Sequence, residues 1–531
     1  MSALPACSTP RSAFGFVLRE PLRTLALLVL VLVAAVPWQL RWGVIPDTSW
    51  AITMCERMLA GDRLYVDLIE VNPPFTPWIF MPAVALAHML GVSPEVAVHV
   101  YSYAICLLGL GFAAAVARQA GFAENRTLFS QLPLFLTLLI IFPGNAFSER
   151  EHLAIALFLP LLVLMAWRVA PTEGRTPSLL TATLAGLSGS ILVLVKPYYA
   201  VVVLVPALYV AWRRRSIRPL FAAEYWMIGL ICVAYLLAVL HFYPEFFSVI
   251  YPMLADTYMR ATQSLLVLAI FGPAYVLAIG MVRFLRPGLT LSPLVIVFTL
   301  ASLAAMVPLI YQGKGFPYHA FPAFSLMLMA LLLRIAQTSP TAEASSERCQ
   351  ASPESTGTGL ISKTLLAITV AMMAIPFMST EKPDAALVAR VRAAIQRPTV
   401  ALIGQIASAG HPLTRMVGGT WVSSYCSDWL AGAALHFWAL ETQNGNKEAA
   451  DHYRQIADRY IGGKLAELEA KRPTVIIMQK GDIMLTEELS RRQDYVRFMH
   501  DYQQVAEDDS VQVMLHTADV SHAPSPAAAA D

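Results

Sequence analysis

With 531 residues, 57% of them hydrophobic and only 14% charged, the chain is excluded from the soluble enzymes, the disordered proteins and the disulfide scaffolds. A larger core cannot absorb the missing charge, because surface still grows with mass; at a mean hydropathy of +0.57 this is a polytopic membrane protein. A formal net charge of +2 indicates no nucleic-acid partner.

In chain order, segment 1–21 with Arg11 and Arg19 reads as a cytoplasmic arm. The apolar run Leu25–Val36 follows Arg23 and passes into Pro-rich, acidic sequence without a small-residue cleavage pattern, so an uncleaved first helix is expected. Cys7 in Leu-Pro-Ala-Cys has no apolar stretch before it and is a chance lipoprotein match. The other cysteines (Cys55, Cys106, Cys232, Cys349 and Cys426) also stand singly and define neither a metal site nor a disulfide framework.

Twelve apolar runs are candidates for spans: 22–40, 76–90, 97–117, 127–142, 151–167, 178–195, 198–212, 219–241, 264–282, 292–310, 320–333 and 363–380. Crossing a hydrocarbon core of about 30 Å takes about 20 helical residues, and several runs are shorter, so loop charge must arbitrate. Arg213-Arg214-Arg215-Ser216-Ile217-Arg218 is placed in the cytoplasm. The loops holding Arg118 and Arg126, Arg168 and Arg175, Arg283 and Arg286, and Arg334 to Lys363 then fall on the same side, provided 76–90 does not cross. That run holds Pro77, Pro82 and His88 behind Asn72-Pro73-Pro74, and reads as an interfacial or re-entrant helix within a first outer loop, 41–96. The expected architecture is an α-helical membrane domain over 22–380 with about eleven transmembrane helices, N-terminus in.

From about residue 381 charges become frequent, and 381–520 reads as a small outer α/β domain. Thr399–Ile403, Thr474–Met478 and Val511–Leu515 are expected strands, with a helix over Lys447–Lys471. Segment 337–360 reads as a flexible cytoplasmic loop and Ser521–Asp531 as a disordered tail.

Polarity is unequal between the two faces. The outer connections carry Asp47, Asp62, Asp67, Glu70 and Asn72; Ser148-Glu149-Arg150-Glu151-His152; Lys196-Pro197-Tyr198-Tyr199; Tyr243-Pro244-Glu245 to Asp256 and Arg260; and Gln312-Gly313-Lys314 with Tyr318-His319. Ionisable groups beside a membrane core are costly unless they pair or function, so these clusters suggest one site at the outer boundary. Asp47 is either a general base or the N-cap of the segment starting at Thr48. Glu149 and Glu151 are explained as complements of a helix dipole, whereas Arg150 and His152 oppose that dipole and suit an anion. Lys196 either snorkels or binds. Lys314, between two glycines, is the preferred phosphate contact. No phosphate-binding glycine motif, His-Glu-x-x-His or convincing metal-ligand set is present.

The stretch Gly61-Asp62-Arg63-Leu64-Tyr65-Val66-Asp67 leading to Glu70-Val71-Asn72-Pro73-Pro74, with Pro46-Asp47, Arg150-Glu151-His152, Lys196-Pro197 and Gln312-Gly313-Lys314-Gly315, resembles the GT-C superfamily of integral membrane glycosyltransferases. The likeness covers about residues 15–380 and is to bacterial members using polyprenyl-phosphate sugars; an Asp-Glu or Asp-Asp pair in their first loop is here Asp47-Thr48. The resemblance implies inverting transfer to an acceptor hydroxyl on a glycan, lipid or protein, at the outer face of the bacterial inner membrane. It implies Asp47 as base with Glu70 as substitute or positioning residue. Arg150, His152, Lys196, Lys314 and His319 would hold the donor phosphate, and Asn72, Tyr198, Tyr199, Gln312 and Tyr318 the substrates. A divalent metal is possible, with no ligand set named. The rival readings are a transporter or flippase for a lipid-linked sugar, which should show internal repeats, and a membrane-anchored assembly protein.

Overall fold

The computed structural model describes residues 20–122, 126–170, 174–285, 288–337, 356–379 and 382–520. Most of segment 1–21 with Arg11 and Arg19, Arg286, Cys7, Cys349, most of 337–360 and the tail Ser521–Asp531 lie outside them. All twelve apolar runs are helical, and the chain is a multi-pass α-helical membrane protein with a small sheet near its C-terminus.

Among the described residues seven helices are long and apolar enough to cross a bilayer. They are α1 (Glu20–Trp42), α4 (Pro94–Gln119), α7 (Arg150–Val169), α10 (Ala223–Phe242), α12 (Ser264–Phe284), α13 (Pro293–Gln312) and α14 (Pro317–Ala336). Between α1 and α4 lie α2 (Pro46–Leu59) and α3 (Phe75–Leu90); α5 (Arg126–Ser130) and α6 (Leu132–Ile140) precede α7. α8 (Leu179–Val195), α9 (Ala200–Arg213), α11 (Tyr251–Asp256) and α15 (Thr356–Ala374) complete this part. The run 127–142 is interrupted at Gln131, just ahead of Pro133.

The apolar windows of α7 and α14 are 83% and 89% buried, while that of α10 is 6% buried. α7 and α14 are therefore the axis of the bundle and α10 belongs to its lipid-facing rim. Small residues let the axis pack tightly: a Cβ at Gly109 on α4 would fall 2.1 Å from the carbonyl oxygen of Ala156 on α7. Start signals are conventional. Ser93 and Ser292 cap α4 and α13 by accepting from Val96 N and Val295 N, each with a proline following. Gly91 and Gly313 close α3 and α13 with φ of 66° and 57°.

The C-terminal sheet runs β2-β1-β3-β5-β4, from β1 (Thr399–Ile403), β2 (Thr420–Trp421), β3 (Val475–Gln479), β4 (Tyr502–Glu507) and β5 (Val511–His516). β2, β1 and β3 are parallel, and β5 is antiparallel to both β3 and β4. The apolar runs mark β1, β3 and β5 to within a residue. β2 is two residues long, and β4 is a polar edge strand with a register shift between Gln504 and Ala506, so neither carries an apolar run.

This unit is seated on α2, the start of α4 and the residues between them. Ile69 N donates to Ser424 O at 2.9 Å and Arg57 Nη1 to Ser423 O at 2.6 Å. Arg415 pairs with Glu56 of α2 and Glu95 of α4, each at 2.5 Å.

Candidate active site

The first turn of α2, the residues after it up to Asn72, the N-terminus of α7 and the α8–α9 and α13–α14 junctions converge on one cavity of about 1360 Å³. Asp47, Glu70, Asn72, Arg150, Lys196, Tyr198, Gln312, Lys314, Tyr318 and His319 all line it. Residues as far apart in sequence as Asp47 and His319 thus line one cavity, because α7 and α14 pack together along the axis and present their N-termini at the same end.

Asp47 is half-buried in the first turn of α2 and makes no hydrogen bond or ion pair with a described residue. The helix N-cap is Ile45, with Pro46 and Asp47 inside the first turn. The capping role is therefore corrected: proline at the first helical position shifts the start two residues ahead of Thr48. Glu70 is the opposite case. Its carboxylate accepts from Trp50 Nε1 at 2.6 Å, Asn72 N at 2.8 Å and Asn72 Nδ2 at 2.5 Å. Three donors fix it in place, and it pins the chain ahead of Pro73-Pro74.

Opposite these acids stand the cations. Lys196 Nζ lies 2.7 Å from Glu151 Oε1 and donates to Gln312 Oε1 at 2.9 Å and His319 Nε2 at 3.0 Å. Burial lowers the pKa of this lysine, against the opposing pull of Glu151. Arg150 is buried, its Nε 3.5 Å from Glu151 Oε2. Lys314 Nζ donates to the carbonyls of Tyr258 and Ala261 at 2.5 and 2.6 Å and lies 3.9 Å from the Tyr258 ring centroid. Burial brings its pKa down to about 8. Glycine at 313 supplies the left-handed turn that aims this segment inward, where a Cβ would meet Gln263 N at 2.9 Å.

The dipole reading of the α7 acids is incomplete. Glu151 is fully buried and is the ion-pair partner of both Lys196 and Arg150. Glu149, just before α7, accepts from Thr48 Oγ1 at 2.5 Å. Burial first, and the Asp47 charge second, push its pKa up to about 8.

Two expected site residues lie elsewhere. His152 is turned into the α4–α6–α7 packing, with Nε2 2.6 Å from Leu139 O and Ser148 N donating to Nδ1 at 3.3 Å. One residue beyond Glu151, it points to another face of the helix. Tyr199 is fully buried beneath Tyr198, ring centroids 5.4 Å apart, and does not line the cavity. Among the described residues no group of three or more His, Cys, Asp and Glu is placed to hold a metal ion.

Much of the remaining lining was not anticipated, although Phe246, Tyr251 and Leu254 fall in the outer stretch from Tyr243 to Asp256. Val193, Leu194, Tyr235, Val239 and Phe246 give the cavity an apolar flank beside the lipid-facing α10. On the other side Gln405, Ser408, Cys426, Ser427 and Trp429 come from the C-terminal unit.

The arrangement is a many-helix membrane fold, with its polar cavity between the α1–α4 connection, the membrane helices and an α/β cap. Among solved structures it is similar to ArnT from Cupriavidus metallidurans, solved bound to undecaprenyl phosphate. The TM-score is 0.52 at 13% identity, over 94% of this chain and 98% of that one. This likeness shows the shared fold. No protein-family model matches the chain, and no curated protein matches it.

Proposed function

We propose that the protein is a membrane glycosyltransferase that moves a sugar from a polyprenyl-phosphate donor to an acceptor hydroxyl. The observation that carries this is one free carboxylate, Asp47, sharing a cavity with three cationic side chains and an apolar flank. That combination fits a lipid-phosphate donor: the prenyl chain lies against Val193, Leu194, Tyr235 and Val239, and the phosphate faces Arg150, Lys196 and Lys314. The Cupriavidus metallidurans neighbour, which shares the fold, was solved with a lipid phosphate bound.

Asp47 takes the proton of the acceptor hydroxyl as its oxygen attacks the anomeric carbon from the face away from the phosphate. The bond from that carbon to the phosphate oxygen breaks, polyprenyl phosphate leaves as an anion, and the configuration inverts. Arg150, Lys196 and Lys314 stabilise the charge developing on the leaving oxygen. His319 and Gln312 hold Lys196 in place, while Glu70 and Asn72 fix the loop that carries the acceptor toward Asp47. Tyr198 and Tyr318 flank the sugar. The site faces the extracytoplasmic side of a bacterial cytoplasmic membrane, with the N-terminus inside and the α/β unit outside.

Asp47→Asn should be produced at normal levels and lose transfer from a radiolabelled polyprenyl-phosphate sugar; retained transfer overturns Asp47 as base. A reporter fused after Met378 should register outside and one within 340–355 inside. The reverse pattern overturns the orientation.

A further inference from the structure

Resting on that reading, we infer that the loop Cys426–Trp429 of the C-terminal unit, with Gln405, forms the acceptor subsite, and that the acceptor it takes is a saccharide. A base in a displacement reaction must touch the acceptor hydroxyl, so the wall facing the base holds the rest of the acceptor. Cys426, Ser427 and Trp429 supply that wall, lining the same cavity as Asp47 and Glu70. The phosphate-facing cations and the apolar flank are supplied by membrane helices and their junctions, which leaves this side to the acceptor.

Fold topology points to the same place. In an open parallel sheet ligands bind outside the carboxyl ends of strands whose onward connections diverge. Here the chain leaves β1 toward β2 and leaves β3 toward β4 and β5 on the opposite side. At the carboxyl ends of this pair, Ile406 N donates to Gln479 Oε1 at 2.9 Å and Gln405 Nε2 to Asp482 Oδ1 at 2.7 Å. Ser427 Oγ donates to Gln405 O at 2.9 Å, tying the two loops together.

The chemistry of the wall selects the acceptor class. Gln405, Ser427 and Trp429 are neutral, and the Trp429 indole N–H is buried with no acceptor among the described residues. The Trp429 ring meets Tyr258 edge-on at 5.6 Å, and the Tyr258 ring in turn lies 3.9 Å from Lys314 Nζ. An aromatic face two rings from the phosphate cation, rimmed by hydroxyl and amide groups, suits a sugar with apolar C–H faces and hydroxyl edges. Gln405, Ser427 and Trp429 themselves carry no charge to pair with a charged peptide.

The test uses the full chain in nanodiscs, with the radiolabelled polyprenyl-phosphate sugar that supports wild-type transfer and acceptors extracted from membranes of a deletion strain. Trp429→Ala should raise the acceptor KM about tenfold, the size of one good aromatic contact. Trp429→Phe should recover most of that loss, and binding of undecaprenyl phosphate should be unchanged in both. The labelled product should resist protease and yield to glycosidase. A protease-sensitive product, an unchanged acceptor KM in Trp429→Ala, or an equal loss of undecaprenyl phosphate binding overturns the assignment. If the wild type itself transfers nothing from any such donor, the glycosyltransferase reading fails instead.

Discussion

Thr48 donates its hydroxyl hydrogen to Glu149 at 2.5 Å, joining the first turn of α2 to the start of α7 across 101 residues of sequence. The bond ties a buried carboxyl to the residue next to Asp47. Burial first, and the neighbouring Asp47 charge second, push the pKa of Glu149 up to about 8.

Stability should record this proton. The folded carboxyl keeps it up to about 8, whereas the unfolded chain releases it near the ordinary value of 4.5. Between those values the folded state binds more protons, so stability falls as pH rises through the window. Glu149→Gln keeps a neutral side chain throughout, and its melting temperature should lose that decline between pH 5 and 8. The measurement is thermal unfolding of both proteins in detergent across this range. A parallel decline in the variant would remove Glu149 as its source.

Lys196 and Glu151 predict a buried-pair effect. Both are almost fully buried, and they lie 2.7 Å apart. Lys196→Met strands a carboxylate beside Arg150 alone and should cost about 3–5 kcal/mol. The double variant Lys196→Met/Glu151→Leu removes both charges and should regain much of that stability while remaining inactive in transfer. Unfolding in detergent separates the two outcomes; a double variant no more stable than the single one would argue against the pair.

How far the sequence reaches is seen in these same residues. Asp47, Arg150, Lys196 and Lys314 stand out because a charge next to lipid demands a reason, and each meets the others in the cavity. Glu149 and Glu151 do not, since acids at a helix start are already explained locally and nothing in their spacing points to Thr48 or Lys196. The C-terminal lining is quieter still. Ser427 and Trp429 are neutral, carry no periodicity, and reach the cavity only because Arg415 and Ser423–Tyr425 dock the unit onto the first loop. Helices are legible from apolar runs, and so are β1, β3 and β5, but the polar edge strand β4 has no such run.

Arg415 is the test of that docking. It reaches Glu56 and Glu95 at 2.5 Å each, with its own side chain 13% exposed. Arg415→Met leaves two partly buried acids without their guanidinium, Glu56 keeping only His88 at 3.8 Å and Glu95 only the Ser93 hydroxyl at 2.5 Å among the described residues, and should cost about 3 kcal/mol. The loss should fall on the seating of the α/β unit, so protease should cut the variant faster between 382 and 400 while undecaprenyl phosphate still binds. Unchanged cleavage would show that the bonds from Ile69 N and the Arg57 side chain seat the unit without it.

Lys314 offers the last separation, between charge and shape in donor binding. Burial lowers its pKa from the ordinary 10.5 to about 8, because two carbonyls and an aromatic ring are poor replacements for water around an ammonium. Below that value the side chain is charged and attracts a phosphate; above it the charge is gone while the contacts remain. Affinity of the wild type for undecaprenyl phosphate in nanodiscs should therefore fall between pH 7 and 9. Lys314→Met should bind more weakly at pH 7 and show a flatter profile, because Arg150 keeps its charge over this range. A wild-type affinity that is level through pH 8, or a variant that falls as steeply, would move the phosphate away from Lys314 and toward Arg150 and Lys196.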